Sequence, residues 1–199
     1  ISIPMIPMDY VERFHSIFTG REIEGASYQA RMEILMDAWK IFLDHPLGVG
    51  VAAFPAVRRA TFGREQDTHN LYFEVATNLG IQGLVVFLLY IFNMMKILRT
   101  IYRSADNQIM ELELLSIKEE VINNINNKIQ DHINDLKLIH AVSSAVFMFV
   151  IIRLALGFFG MDLYEIYWWF ALGLTISLYN INYYAQKISL RFIKSDLTE

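Results

Sequence analysis

The stretch "THNLYFEVATNLGIQGLVVFLLYIF", residues 68–92, decides the fold. It places a histidine and an asparagine a few residues before a long apolar run that contains two glycines, so an ionisable side chain stands at the edge of a membrane-length segment. Residues 79–98, 140–160 and 166–185 are each about twenty residues long and mostly apolar. At 1.5 Å per residue, each covers the roughly 30 Å of a bilayer's hydrocarbon core. The composition agrees, since 54% of the chain is apolar, 14% aromatic and only 19% charged, greasier than an ordinary soluble domain. None of the three segments is a signal peptide, because none lies at the N-terminus with a basic flank and a small-residue cleavage site. The chain opens on Ile1 and on a polar region, which reads as the C-terminal part of a longer membrane protein. The predicted fold is an all-α membrane protein, a polytopic helical bundle. Residues 1–76 form a large helical external loop, and residues 77–199 form the membrane region, with an amphipathic cytoplasmic segment over about 100–138. The absence of cysteine excludes disulfides and thiolate metal sites. A net charge of -4 gives no basic footprint for nucleic acid.

Orientation follows from the basic residues beside the spans. Lys96, Arg99 and Arg103 lie at the end of the first, Lys137 precedes the second, and Lys187, Arg191 and Lys194 follow the third. These ends are expected in the cytoplasm. The hairpin "GMDLYEIYWW" has Asp162 and Glu165 but no Lys or Arg, and its Tyr and Trp residues suit an interfacial belt. It is expected outside, and by alternation so are residues 1–76, which in a bacterial cell means the periplasm.

Within the external segment, Ser27 can cap a helix running to about Asp44, with Arg31, Leu35, Ala38 and Phe42 spaced along one face. "DHPLGVG" should stop it, because Pro46 disfavours helical geometry at His45 and Gly48 and Gly50 permit conformations closed to other residues. A polar loop, "RRATFGREQD", then leads to His69, and Asp67 or Thr68 can cap the helix of the first span. Over residues 107–138, Ile117, Val121, Ile125, Ile129, Ile133 and Leu136 recur among charges, the pattern of one or two amphipathic helices on the membrane or on their neighbours.

Three of these patterns resemble a known family. Arg31 and Leu35 fit the R-x3-L motif of the O-antigen ligase and polymerase family of bacterial envelope glycosyltransferases. His69, Asn70, Gly80 and Gly83 fit its H-[N/S/Q]-x9-G-x-x-[G/T/Y] motif, which leads into a transmembrane helix. "HPLGVGVAAF" is similar to the family's H-P-x-x-G-x-G stretch, with one residue fewer between Pro46 and Gly48. The resemblance covers Arg31 to Gly83, three matches in the family's order.

The resemblance implies transfer of a glycan from undecaprenyl pyrophosphate to a hydroxyl, on the lipid A core for a ligase or on another carrier-linked glycan for a polymerase. It implies a plasma-membrane location with the site facing the periplasm, membrane lipids as surroundings, and no cofactor. Breaking the anomeric bond builds charge on the pyrophosphate, and a guanidinium, permanently charged and bidentate, suits it. Arg31 is the first candidate. The acceptor hydroxyl must lose a proton, and neutral imidazole accepts one near neutral pH, so His69 is the candidate base. His69 can equally act as a hydrogen-bond donor to the pyrophosphate. Asn70 either orients a sugar hydroxyl or caps the helix, and Gly80 and Gly83 let a helix or lipid tail approach closely.

Other residues have two readings each. Successive N–H groups at Gly48 and Gly50 either cradle an anion or simply stop a helix. Arg58, Arg59 and Arg64 either attract the anionic substrate or are solvated surface. Arg153, inside the second span, either contacts the pyrophosphate or snorkels and pairs with Asp162 or Glu165. His45, His69 and Asp44 lack metal-ligand spacing, and no metal is expected. Two other classes compete with the enzyme: an anion transporter of the bicarbonate type, and a non-catalytic membrane scaffold.

Overall fold

The computed structural model describes residues 25–118, 123–160 and 163–196, with side chains over 29–116, 127–160 and 163–194. The described elements are all helices, with no strand among the described residues. We name the helices α1 (Gly25–Asp44), α2 (Phe54–Phe62), α3 (Leu71–Lys118), α4 (Asn123–Leu156) and α5 (Ile166–Asp196). They divide between two compact units, the first holding residues up to His69 together with Phe73–Ile81, the second Asn70–Tyr72 with Gln82–Glu199.

In the first unit α1 ends at Asp44, as the His45–Pro46 pair requires. It is already helical from Gly25, so Ser27 lies inside the helix and does not cap it. The buried face is Ile34, Asp37, Ala38 and Ile41, about one residue round from the predicted stripe; Arg31 is exposed, and Leu35 and Phe42 are half-buried. Ile34, Ala38 and Ile41 meet the fully enclosed Phe54, and Val49, Val57, Phe62 and Phe73 close the cluster. Burying one such aromatic side chain contributes about 1.5–3 kcal/mol. Phe54 begins a helix where a polar loop was expected. Pro55 sits in its first turn, where a missing N–H costs nothing, and Gly63 ends it in the left-handed region (φ 72°), donating its N–H to Arg59 O.

The second unit is built on seams of period 3.5. Along α3 the buried positions are Phe87, Ile91, Met94, Leu98, Ile101, Ala105, Gln108 and Leu112, and along α5 they are Trp168, Ala171, Thr175, Leu178, Asn182, Ala185 and Ser189. This alternation of four and three keeps one face of a long helix against its neighbours. Contacts of Glu113 with Lys137 and of Tyr102 with His140 and Phe147 set α4 antiparallel to α3. Those of Phe87 with Trp168 and Gln108 with Ser189 set α5 parallel to α3. Large apolar side chains also point outward, among them Val86, Phe92, Ile152, Phe170 and Ile176, while Ser143 and Thr175 are enclosed. Apolar outside with polar inside is the pattern expected where lipid is the solvent.

Two described helices, α3 and α4, are long and apolar enough to cross a membrane. The third expected span, 166–185, forms a continuous helix but falls short, because Asn180, Asn182, Tyr183 and Tyr184 interrupt its apolar run. The amphipathic segment takes the second of its two expected forms, helices packed on their neighbours. Its two halves prolong α3 and α4, where Ile129, Ile133 and Leu136 are buried; Ile117, Val121 and Ile125 lie outside the described side chains.

Candidate active site

Residues 73–81 and the loop after α1 make one structure in the first unit. Helix α3 is two helices joined at Gly80, whose backbone (φ 69°, ψ −169°) is not helical. A break of this kind strands carbonyls before it and an N–H after it, and buried main-chain groups must find partners. The loop supplies them. Val49 N donates to Thr77 O at 2.9 Å, Gly50 N to Asn78 O at 3.0 Å, and Ile81 N to Pro46 O at 2.9 Å. The backbones touch, so a Cβ on Gly80 would lie 2.3 Å from Leu47 C, and one on Gly48 would lie 2.6 Å from Asn78 O and Gly80 N. Gly48 also has positive φ, at 88°. Only glycine meets both demands at both places.

This corrects the anion-cradle reading. Gly48 N donates to His45 O at 2.8 Å and Gly50 N to Asn78 O, so both N–H groups are committed within the protein. Gly80 is correspondingly the crossing point of a loop rather than a smooth patch for a passing helix.

His69 stands between Thr68, 3% exposed, and Asn70, 7% exposed, yet is itself exposed, with left-handed φ of 48°. A non-glycine residue in that region costs about 1–2 kcal/mol, and such outliers concentrate at functional sites. The buried neighbours hold the backbone while the turn presents the imidazole outward.

The cations of the same unit separate by environment. Arg58 is buried, and its Nε donates to Asp37 at 2.9 Å; Arg64 reaches Asp37 at 3.1 Å and also Glu33. Two guanidiniums thus meet two carboxylates. Arg59, on the surface, pairs with Glu65 at 2.8 Å. All three arginines expected to attract substrate are engaged with carboxylates, and Arg58 is a buried core ion rather than solvated surface. Arg31 is exposed on α1, and among the described residues its guanidinium meets no carboxylate.

In the second unit, Asn70 caps α3. Its Oδ1 accepts the Tyr72 N–H at 3.0 Å, and its Nδ2 donates to Phe158 O at 3.2 Å. Leu71 N donates to Gly157 O at 2.7 Å and Tyr72 Oη to Leu154 O at 2.8 Å, so the start of α3 satisfies carbonyls at the end of α4. Neither Asp67 nor Thr68 supplies this cap; Asp67 Oδ1 instead accepts Thr68 N–H at 2.8 Å. Arg153 lies over the Tyr167 ring, 3.9 Å from its centroid, and donates to the Tyr167 hydroxyl. That aromatic partner was not foreseen; Glu165 is exposed and Asp162 lies outside the described residues.

Sequence reasoning also passed over Asp37, Glu74, Thr77 and Asn78, all buried. A signal was present for the last three, whose spacing of three and one places them on one helical face ahead of the apolar run. No three His, Asp or Glu residues among the described ones group to hold a metal.

Comparison with known proteins bears on residues 3–88, which match a family model described as O-Antigen ligase. No curated protein and no solved structure matches the chain. The match implies a ligase- or polymerase-type function in a membrane. It spans the arginine motif, the glycine loop, His69 and the break at Gly80, the parts in which the resemblance was read. Residues 3–88 of this chain are thus similar to the O-antigen ligase family, in line with the resemblance its motifs carry.

Proposed function

We propose that the chain is part of a membrane glycosyltransferase that moves a glycan from undecaprenyl pyrophosphate to an acceptor hydroxyl of the lipid A core, at the periplasmic face of the plasma membrane. The observation that carries this reading is His69, held outward in a strained left-handed turn two residues before α3, whose part beyond Gly80 carries the first apolar run. A lipid-tethered substrate keeps its tail in the bilayer and its pyrophosphate at the interface, so the reacting groups belong at the mouth of such a helix.

In the transfer, the acceptor oxygen attacks the anomeric carbon as the bond from that carbon to the pyrophosphate oxygen breaks. The departing oxygen takes the bonding electrons, and His69 takes the acceptor's proton, help worth roughly 10²- to 10⁴-fold. Arg31 offsets the growing charge on the pyrophosphate. A polymerase uses the same chemistry with another carrier-linked glycan as acceptor.

The test is complementation of a deletion strain with the full-length protein, read by electrophoresis of surface polysaccharide. His69→Ala and Arg31→Ala should each abolish glycan attachment at unchanged membrane abundance. Attachment by His69→Ala at the unmodified rate would remove the proposal. Unattached long chains in the deletion strain identify a ligase, and single repeats a polymerase.

A further inference from the structure

We infer that Asn78 is a positioning residue for this transfer, its side chain fixing the helical segment 73–79, which follows His69 in the first unit, to α2; the inference rests on the role proposed for His69. Asn78 is 3% exposed. Its Oδ1 accepts the Phe54 N–H at 3.1 Å, and its main-chain oxygen accepts the Gly50 N–H at 3.0 Å. The Phe54 N–H opens α2, and the residue in the capping position, Ala53, has no side-chain acceptor to offer it. A helix start needs such acceptors, and a buried N–H left without one is destabilising. Asn78 provides the cap from 24 positions along the chain.

One residue thereby ties three pieces of the first unit: its main-chain oxygen holds the glycine loop, and its side chain fastens the helix bearing Arg58 to the helical segment 73–79. His69 lies nine residues before Asn78 in sequence. The adjoining break at Gly80 removes the rigidity a continuous helix would give, so the direction of segment 73–79 depends on what its C-terminal end is tied to. Misplacement by about 1 Å at a reacting group costs up to about 100-fold in rate. A filler of volume would serve packing equally well, whereas positioning requires the acceptor.

Asn78→Leu and Asn78→Asp both keep the branched, four-heavy-atom shape of the asparagine side chain, and only the second can accept the Phe54 N–H. In membranes containing the full-length protein, Asn78→Leu should lower kcat for glycan transfer at least about tenfold with the donor KM little changed. Asn78→Asp should restore kcat to within about threefold. If Asn78→Leu does not accumulate, Asn78→Ala and Asn78→Ser make the same comparison at smaller volume. The inference is overturned if the variant without an acceptor keeps kcat within about threefold, or if both members of a pair are equally low. His69→Ala is assayed alongside. An active His69→Ala sinks the proposed function, whereas an inactive one beside a fully active Asn78→Leu sinks only the positioning role.

Discussion

The two units are each tied by a joint, and the joints are made of different material. In the first, the loop after α1 and the break at Gly80 meet through main-chain groups, with glycine on both sides. In the second, a main-chain bond, Leu71 N to Gly157 O, joins the start of α3 to the end of α4, and along their length α3, α4 and α5 meet through side chains. His132 Nε2 lies 2.9 Å from Ser189 Oγ, which donates to Gln108 Oε1 at 2.8 Å, and Ser104 joins Gln108, Asn182 and Gln186. A main-chain joint has no spare volume, so any side chain breaks it. A side-chain network loses its bonds one at a time and degrades by steps. The first unit therefore holds a fixed geometry where chemistry is proposed, and the second holds helices in register.

That contrast fails or sharpens on measurable effects, read as unfolding midpoints of detergent-solubilised protein. Gly80→Ala should cost most, above about 4 kcal/mol, because its Cβ would meet Leu47 main chain at 2.3 Å in a left-handed backbone; loss of folded protein is the expected result. Asp37→Ala comes next, about 3–5 kcal/mol, since it leaves the buried Arg58 without its partner. In the side-chain joint, Ser189→Ala should cost about 1–3 kcal/mol by taking one bond from His132 and one from Gln108. A loss as large as that of Gly80→Ala would abolish the distinction. Gly63→Ala isolates strain from collision, having positive φ of 72° but open space around it, and should cost about 1–2 kcal/mol. Arg59→Ala, breaking an exposed pair with Glu65, should stay within about 1 kcal/mol of zero.

Local grammar was legible where one residue type dictates one geometry. Pro46 stopped α1 at Asp44, and the long apolar runs produced α3 and α4. Helix α2 was hidden because "RRATFGREQD" is polar, while the residues that bury it, Phe54 and Val57, belong to an apolar cluster completed by α1. In sequence, Gly48 offers an anion cradle or a helix stop and Gly80 a smooth helix face, two separate features. They are one crossing, and a crossing leaves no local pattern, because neither backbone announces its partner 32 positions away.

The sequence alone carried the helical class and the membrane character, which rest on composition and periodicity within short windows, and it carried the motifs whose resemblance to a family nominates His69 and Arg31 as candidates. Folding in three dimensions assigned the arginines to their carboxylates, turned Asn70 into a cap, broke α3 at Gly80 and brought Asn78 to the start of α2. Those outcomes depend on which distant groups meet, and a buried polar group is satisfied by whatever partner the packed chain delivers to it.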